Sequence, residues 1–305
     1  MMMTETRLWT GLRGTLVHDA PLARYTSWRS GGHADLLFRP ADRDDLAVFL
    51  RHYPATEPLL VLGLGSNTLV RDGGVRGAVI VMHNPGAMLA VADSLIYADA
   101  GLASPKLARF AAIHGCAEAE FLAGVPGTIG GALAMNAGCY GGETWRYVVR
   151  VECVDRHGEF SIRTPGDFAI GYRSVLERNG SPVGSVFSAA WFRFPVGDPA
   201  AGRARIKDLL RKRIATQPLA LPNAGSVFRN PPGDHAARLI EACGLKGRKV
   251  GEAQVSVLHA NFIVNPGGHA RAADIEALIG VVRATVRERT GVDLEPEVRI
   301  VGELQ

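Results

Sequence analysis

Two stretches of this sequence have the composition to lie against a flat or anionic ligand. In the first, Gly63-Leu-Gly65-Ser66-Asn67-Thr68, an apolar run ends in a turn of small residues and hydroxyls. Such a turn can present backbone N–H groups and side-chain donors to a pyrophosphate. It lacks the third glycine that lets a helix pack closely on its strand, so a Rossmann fingerprint is absent, and an ordinary turn is the competing reading. The second stretch, Gly124-Val125-Pro126-Gly127-Thr128-Ile-Gly130-Gly131, runs on to Asn136 and Gly138 and gathers four glycines before a short apolar helical piece. Glycine gives up more chain entropy on folding than any other residue, and close backbone approach to a ligand would explain that cost. Turns alone offer no evident folding reason for so many glycines around one Thr-Ile pair. Metal or disulfide chemistry is not indicated. Cys116, Cys139, Cys153 and Cys243 form neither a C-x-x-C pair nor a dense framework, and read as reduced thiols.

The elements that must position these loops can be read from periodicity. Residues 58–64 are almost wholly apolar and predict a buried strand feeding the first loop, with a second strand at 78–82 and a helix over 42–50 started by Asp42. A strand at 95–98 and a helix at 105–114 lead to the glycine-rich segment. After it, strands 148–154 and 159–163 flank the turn Asp155-Arg-His-Gly158, strand 185–194 follows, and residues 195–202 read as a linker. Ile206, Leu209, Leu210 and Ile214 then fall at helical spacing before Pro218. Asp234 is placed to cap a helix ending near Gly244, and Ile275, Leu278, Ile279, Val282 and Val286 stripe another that ends at Gly291. A strand over 294–301 closes the chain, with Val298 and Ile300 facing inward.

A chain of 305 residues with 47% hydrophobic and 21% charged side chains can bury a sizeable core and predicts more than one packed unit. Its basic residues are scattered and its net charge is only +4, which suits anionic small molecules better than nucleic acid. The first ten residues lack a continuous apolar core, and no apolar stretch approaches the length of a membrane span, so no membrane partner is expected and the cytoplasm is the default compartment.

Five segments, in order and in spacing, resemble the UDP-N-acetylenolpyruvoylglucosamine reductase family. They are Gly63-Leu-Gly-Ser-Asn-Thr-Leu-Val70, Val125-Pro-Gly-Thr-Ile-Gly-Gly-Ala132 with Met135-Asn-Ala-Gly138, Gly171-Tyr-Arg173, Ala224-Gly-Ser-Val-Phe-Arg-Asn-Pro231 and Glu295-Pro-Glu-Val-Arg299. The resemblance runs over 23–302, nearly the whole chain. It implies an α+β architecture: a two-part FAD-binding fold of the vanillyl-alcohol-oxidase (PCMH-like) kind over 1–84 and 85–200, and a carboxy-terminal α+β substrate domain over 201–305. It implies a step of peptidoglycan (cell wall) synthesis, reduction of UDP-N-acetylglucosamine enolpyruvate to UDP-N-acetylmuramate, with non-covalent FAD and with NADPH as hydride donor. The working unit would be a monomer. The short stretch 172–190 looks like the type that lacks a tyrosine-bearing capping loop.

The same resemblance assigns residues. Gly63, Gly65, Ser66, Asn67, Thr68, Gly124, Val125, Pro126, Gly127, Thr128, Gly130, Gly131, Asn136 and Gly138 match positions that line FAD. Arg173 matches the arginine that would grip the enolpyruvyl carboxylate as negative charge builds there, a task that suits a rigid planar fork. Ser226 matches the proton donor to C2, a very weak acid that needs neighbouring cations or water, and Glu297 matches a glutamate beside the same carboxylate. Lys212, Arg229 and Asn230 are the substrate-binding candidates. Taken alone, Arg173 reads as a surface residue, Ser226 as a turn hydroxyl and Glu297 as a strand residue pairing with Arg299. Thr68, Arg229 and Asn223 stand where the family usually has Leu, Lys and Ser, and Arg229 keeps charge without keeping geometry. A flavin oxidase of the same fold and a non-catalytic homologue are the rivals; each would lack Ser226 or Glu297 in these contexts.

Overall fold

A computed structural model describes residues 9–92 and 94–305. Residues 1–8, most of the amino terminus considered above, lie outside the described residues.

A four-stranded sheet runs in the order Thr15–Pro21, His33–Arg39, Val75–Val81, Leu59–Leu62, the last two strands pairing in parallel. The apolar run at 58–64 is therefore an edge strand rather than a buried one, and only Leu62 of Leu59–Leu62 is buried. A continuous apolar run reports hydrophobicity but not which position in a sheet the strand takes. Helix α1, Arg43–His52, starts where Asp42 accepts the Asp45 N–H at 3.0 Å, as its sequence predicts.

A five-stranded antiparallel sheet has the order Phe160–Arg163, Val148–Val154, Val186–Phe192, Leu95–Asp99, Leu89–Ala92. Helix α2, Ser104–Ile113, and the short helix α3, Ile129–Ala134, bury Leu107, Ala108, Ala111, Ile129, Ala132 and Leu133 in the same apolar cluster as Ala98, Val151 and Ala190 of this sheet. Alanines at those sheet positions leave room for helix backbone to approach closely. The first strand of the pair at Leu89 is one that periodicity did not reveal. Helix α4, Pro199–Thr216, begins inside the expected linker, because Asp198 accepts the Ala201 N–H at 2.7 Å and Pro199 supplies a ready-made first turn. Ile206 and Leu209 are buried on it, but Ile214 is exposed.

The second compact cluster gathers Trp28, Leu69, Val227 and Phe228 with helix α5, Ala236–Ala242, and helix α6, Ala272–Thr290. Asp234 was expected to cap α5; instead it accepts from His235 N–H and pairs with Arg238, and the Asn230 side-chain oxygen takes the Ala236 N–H at 3.1 Å. Asp72 accepts from Ala272 and Ala273 at the start of α6, and Gly291, at φ 76°, ends it. The stripe Ile275, Leu278, Ile279, Val282, Val286 is buried throughout. The closing strand is shorter than its pattern suggests, Arg299–Val301, and runs parallel to Thr68–Val70. Pro296 has no N–H for a ladder, and Glu297 turns its own to a loop carbonyl.

The chain divides into two compact units, one of Met1–Val17, Leu37–Gly63 and Ala78–Arg211, the other of His18–Leu36, Leu64–Gly77 and Lys212–Gln305. In the first, Asp45 is 1% exposed and its carboxylate accepts the N–H groups of Arg13, Gly14 and Ala41, each at 2.8 Å. Asp45→Ala strands three backbone donors, at a cost of about 3 kcal/mol. A thermal melt should show the midpoint fall by about 5 °C in a chain of this size; a change within about 1 °C would remove the carboxylate from the fold's supports. All four cysteines are free, and burial pushes the Cys153 thiol up to about 11, as suits an inert core residue.

Candidate functional site

In the first unit Gly63 and the glycines of the second loop prove to have folding reasons that their sequence did not disclose. A Cβ on Gly63 would stand 2.3 Å from Thr128 Oγ1, on Gly124 2.7 Å from Cys139 Sγ, on Gly130 3.0 Å from Ala100 Cβ, and on Gly138 2.4 Å from the Gly142 carbonyl. Each position is glycine because another part of the same unit occupies the space of a side chain. Thr128 is only 1% exposed and caps α3 by accepting the Gly131 N–H at 3.3 Å. Val125 is buried, and the Gly127 carbonyl accepts from Ser104 N–H at 2.9 Å, which ties the loop to the start of α2. Gly131 differs. It is exposed in the first turn of α3, and an added Cβ would find only Thr128 Oγ1 at an ordinary 3.6 Å. Alanine would serve a helix better there by about 1 kcal/mol. A bare backbone surface at Gly131, on a loop where Pro126 is also exposed, is what a flat ligand requires and the fold does not.

Asn136, expected as a cofactor contact, has its side chain engaged within the first unit. It is 2% exposed, with φ 45°, and its side-chain amide is committed to Glu143 Oε2, the Gly171 carbonyl and the Trp145 N–H. Arg173 lies in the two-residue turn between strands Phe168–Gly171 and Ser174–Glu177, a hairpin that periodicity had not indicated. Its φ of 54° is the left-handed conformation that turns of this length normally give to Gly or Asn. Its guanidinium donates to the carbonyls of Asn136 at 3.3 Å and Gly138 at 2.7 Å, and packs over the Tyr172 ring at 4.8 Å. The structure thus brings Arg173 to the end of the glycine-rich loop.

In the second unit Gly65 has φ 59°, and a Cβ there would meet the Tyr25 carbonyl at 2.1 Å. Ser66 is half-buried, while Thr68 is buried in the strand beside Arg299. Asn67 brackets Glu297: its side-chain amide donates to the Glu297 carbonyl at 3.1 Å, and its own carbonyl accepts from Arg299 N–H at 3.0 Å. Glu297 N–H donates to the Val227 carbonyl at 2.7 Å, so Ser226 and Glu297 stand on directly bonded segments. Ser226 follows Gly225, whose φ of 75° and bond to Asn223 Oδ1 at 3.0 Å form the preceding turn. Asn223, the departure from serine noted above, therefore shapes the approach to Ser226.

Asn261 is a residue sequence reasoning missed. Buried, it accepts the Phe228 N–H at 3.0 Å, donates to the Phe228 carbonyl at 2.8 Å, and takes the Val227 N–H on its own carbonyl. A polar residue alone in the apolar run Ala260-Asn-Phe-Ile-Val264 was the available signal. Of the substrate candidates, Arg229 pairs with Glu295 at 2.9 Å, Asn230 serves the start of α5, and Lys212 is exposed on α4. Among the described residues no cluster of His, Cys, Asp and Glu could hold a metal ion.

Comparison with known proteins agrees along the whole chain. Residues 34–162 match the model of an FAD binding domain, and residues 217–301 match that of the UDP-N-acetylenolpyruvoylglucosamine reductase C-terminal domain. The UDP-N-acetylenolpyruvoylglucosamine reductase of Alkalilimnicola ehrlichii is 56% identical over 305 residues and covers all of both chains. That of Nitrosospira multiformis is 55% identical over 96% of this chain and 90% of its own. The crystal structure of the Thermus caldophilus reductase superposes with a TM-score of 0.77 at 33% identity, covering 95% of this chain and 99% of that one.

Proposed function

The chain belongs to the UDP-N-acetylenolpyruvoylglucosamine reductase family, and from that premise we propose how its own residues carry the reaction. It is an FAD-dependent oxidoreductase of peptidoglycan synthesis that reduces UDP-N-acetylglucosamine enolpyruvate to UDP-N-acetylmuramate with NADPH as the hydride donor. Residues 1–84 and 85–200 serve FAD and residues 201–305 the sugar nucleotide. The residues present fit a flavin dinucleotide: Gly131 leaves bare backbone in the open, and Ser66 and Asn67 supply polar groups on a glycine turn. When bound, FAD supplies a two-electron relay between nicotinamide and enolpyruvyl carbons.

The protein's share of the chemistry is charge and proton. Arg173 offers a planar fork to the enolpyruvyl carboxylate, where negative charge accumulates as C3 receives hydride. Ser226 delivers the proton to C2, and Glu297, on a segment hydrogen-bonded to that of Ser226, is assigned to the same step. The placing of Ser226 and Glu297 on hydrogen-bonded neighbours is the observation that carries this reading. Arg229, paired with Glu295, and Lys212 are assigned to the diphosphate. No helix of the described residues is long and apolar enough to cross a membrane, and soluble nucleotide substrates favour the cytoplasm. The segment between strands Ser174–Glu177 and Val186–Phe192 is too short for a capping domain, which favours the loop-lacking type.

Anaerobic stopped-flow absorbance tests the assignment. NADPH should bleach the bound flavin, and enolpyruvyl substrate should restore its colour. Recovery by O₂ but not by that substrate would make the protein an oxidase instead.

A further inference from the structure

We infer that Asn136 is a positioning residue for Arg173, setting where the guanidinium sits. The inference rests on Arg173 acting on the substrate carboxylate, as proposed above. Asn136 holds the arginine at both ends. Its side-chain Nδ2 donates to the Gly171 carbonyl at 3.0 Å, at the root of the two-residue turn, and its backbone carbonyl accepts from Arg173 Nη1 at 3.3 Å, at the tip of the side chain. Two further bonds fix Asn136 itself, from Nδ2 to Glu143 Oε2 at 3.1 Å and from Trp145 N–H to Oδ1 at 3.1 Å. Gly138, two residues on, completes the seat: its carbonyl takes Arg173 Nη2 at 2.7 Å, and a Cβ there would crowd Nη1 at 3.0 Å.

The residue type follows from the geometry. At φ 45° the backbone favours Asn, Asp or Gly over other residues. Only the amide offers two donors and an acceptor from one planar group. Aspartate keeps the shape and the bond from Trp145, but it loses both donors and sets a carboxylate against Glu143. Glycine keeps the backbone and loses every side-chain bond. An arginine held in a left-handed turn does not find one orientation unaided, and a misplacement of about 1 Å at a reacting centre costs on the order of 100-fold.

The test is a double-mutant cycle on the FAD-loaded protein, read in both half-reactions. Asn136→Asp and Asn136→Gly should each retain FAD and be reduced by NADPH within about twofold of the parent rate, while flavin reoxidation by the enolpyruvyl substrate slows about 100-fold. In an Arg173→Ala background the same changes should slow reoxidation by less than about twofold more, because coupled residues do not add. Glu143→Gln keeps an acceptor for Asn136 and should reoxidise near the parent rate. Equal slowing in the two backgrounds, or loss of FAD or of NADPH reduction in both Asn136 variants, overturns the inference. Parent-rate reoxidation by Arg173→Ala alone instead overturns the role given to Arg173.

Discussion

In Ser226→Ala the bound flavin should bleach with NADPH at a rate within about twofold of the parent, while the return of colour on adding enolpyruvyl substrate should slow by about 10²- to 10⁴-fold, the range for losing a positioned proton donor. The asymmetry follows from where the hydroxyl stands. NADPH reduction needs no proton at C2, so nothing in that half-reaction calls on Ser226. Enolpyruvyl reduction leaves a carbanion-like C2 beside a charged carboxylate, and a donor must be in place. Ser226 is placed firmly: the Gly225 turn precedes it, Asn261 clasps Val227 and Phe228 after it, and Glu297 N–H binds the Val227 carbonyl. Removing the hydroxyl disturbs none of those bonds, since all are made by other groups, so melting temperature and FAD content should be unchanged. Equal slowing of both half-reactions would mean the substitution acts through the fold, and no slowing of either would assign the proton to another group.

The elements of this fold were legible where one residue type has one use. Asp42 as a helix start, Gly291 as a helix end and the buried stripe on α6 all stand as periodicity and capping rules indicate. Legibility failed where one residue type has two uses. The apolar run ending at Leu62 looked like an interior strand and is an edge, because hydrophobicity alone does not count neighbours. Asp234 and Asn230 are four residues apart and both suited to a helix start; the one nearer in sequence took an ion pair with Arg238 and the other took the N–H. The glycines of the second loop read as ligand-facing on entropy grounds, yet Gly124, Gly130 and Gly138 are also crowded by atoms of their own unit. Only contact distances separate that demand from a ligand's, and at Gly131 they show no such demand from the fold. Both compact units are built from separated segments, which no reading along the chain can assemble.

Arg173→Lys is the second large effect, and it separates charge from geometry. A lysine retains the positive charge and tolerates the turn no worse than arginine does, since neither side chain favours φ 54°. It cannot do what the guanidinium does here. Two of the guanidinium's nitrogens are anchored to the Asn136 and Gly138 carbonyls, and a planar group with five N–H donors keeps such anchors while presenting a fixed fork to a carboxylate. An ammonium with three donors on a flexible stem must surrender the anchors to reach the substrate, or surrender the substrate to keep the anchors. Flavin reoxidation by the enolpyruvyl substrate should therefore fall by about 10²- to 10³-fold, the range for removing a preorganised donor from a developing anion. Most of the loss should lie in kcat rather than KM, because charge at the carboxylate grows only as hydride arrives. If Arg173→Lys lost its activity through KM alone, Arg173 would be a binding residue for the resting carboxylate. If it kept full kcat, charge without fixed direction would suffice, and the seat formed by Asn136 and Gly138 would have no bearing on the chemistry.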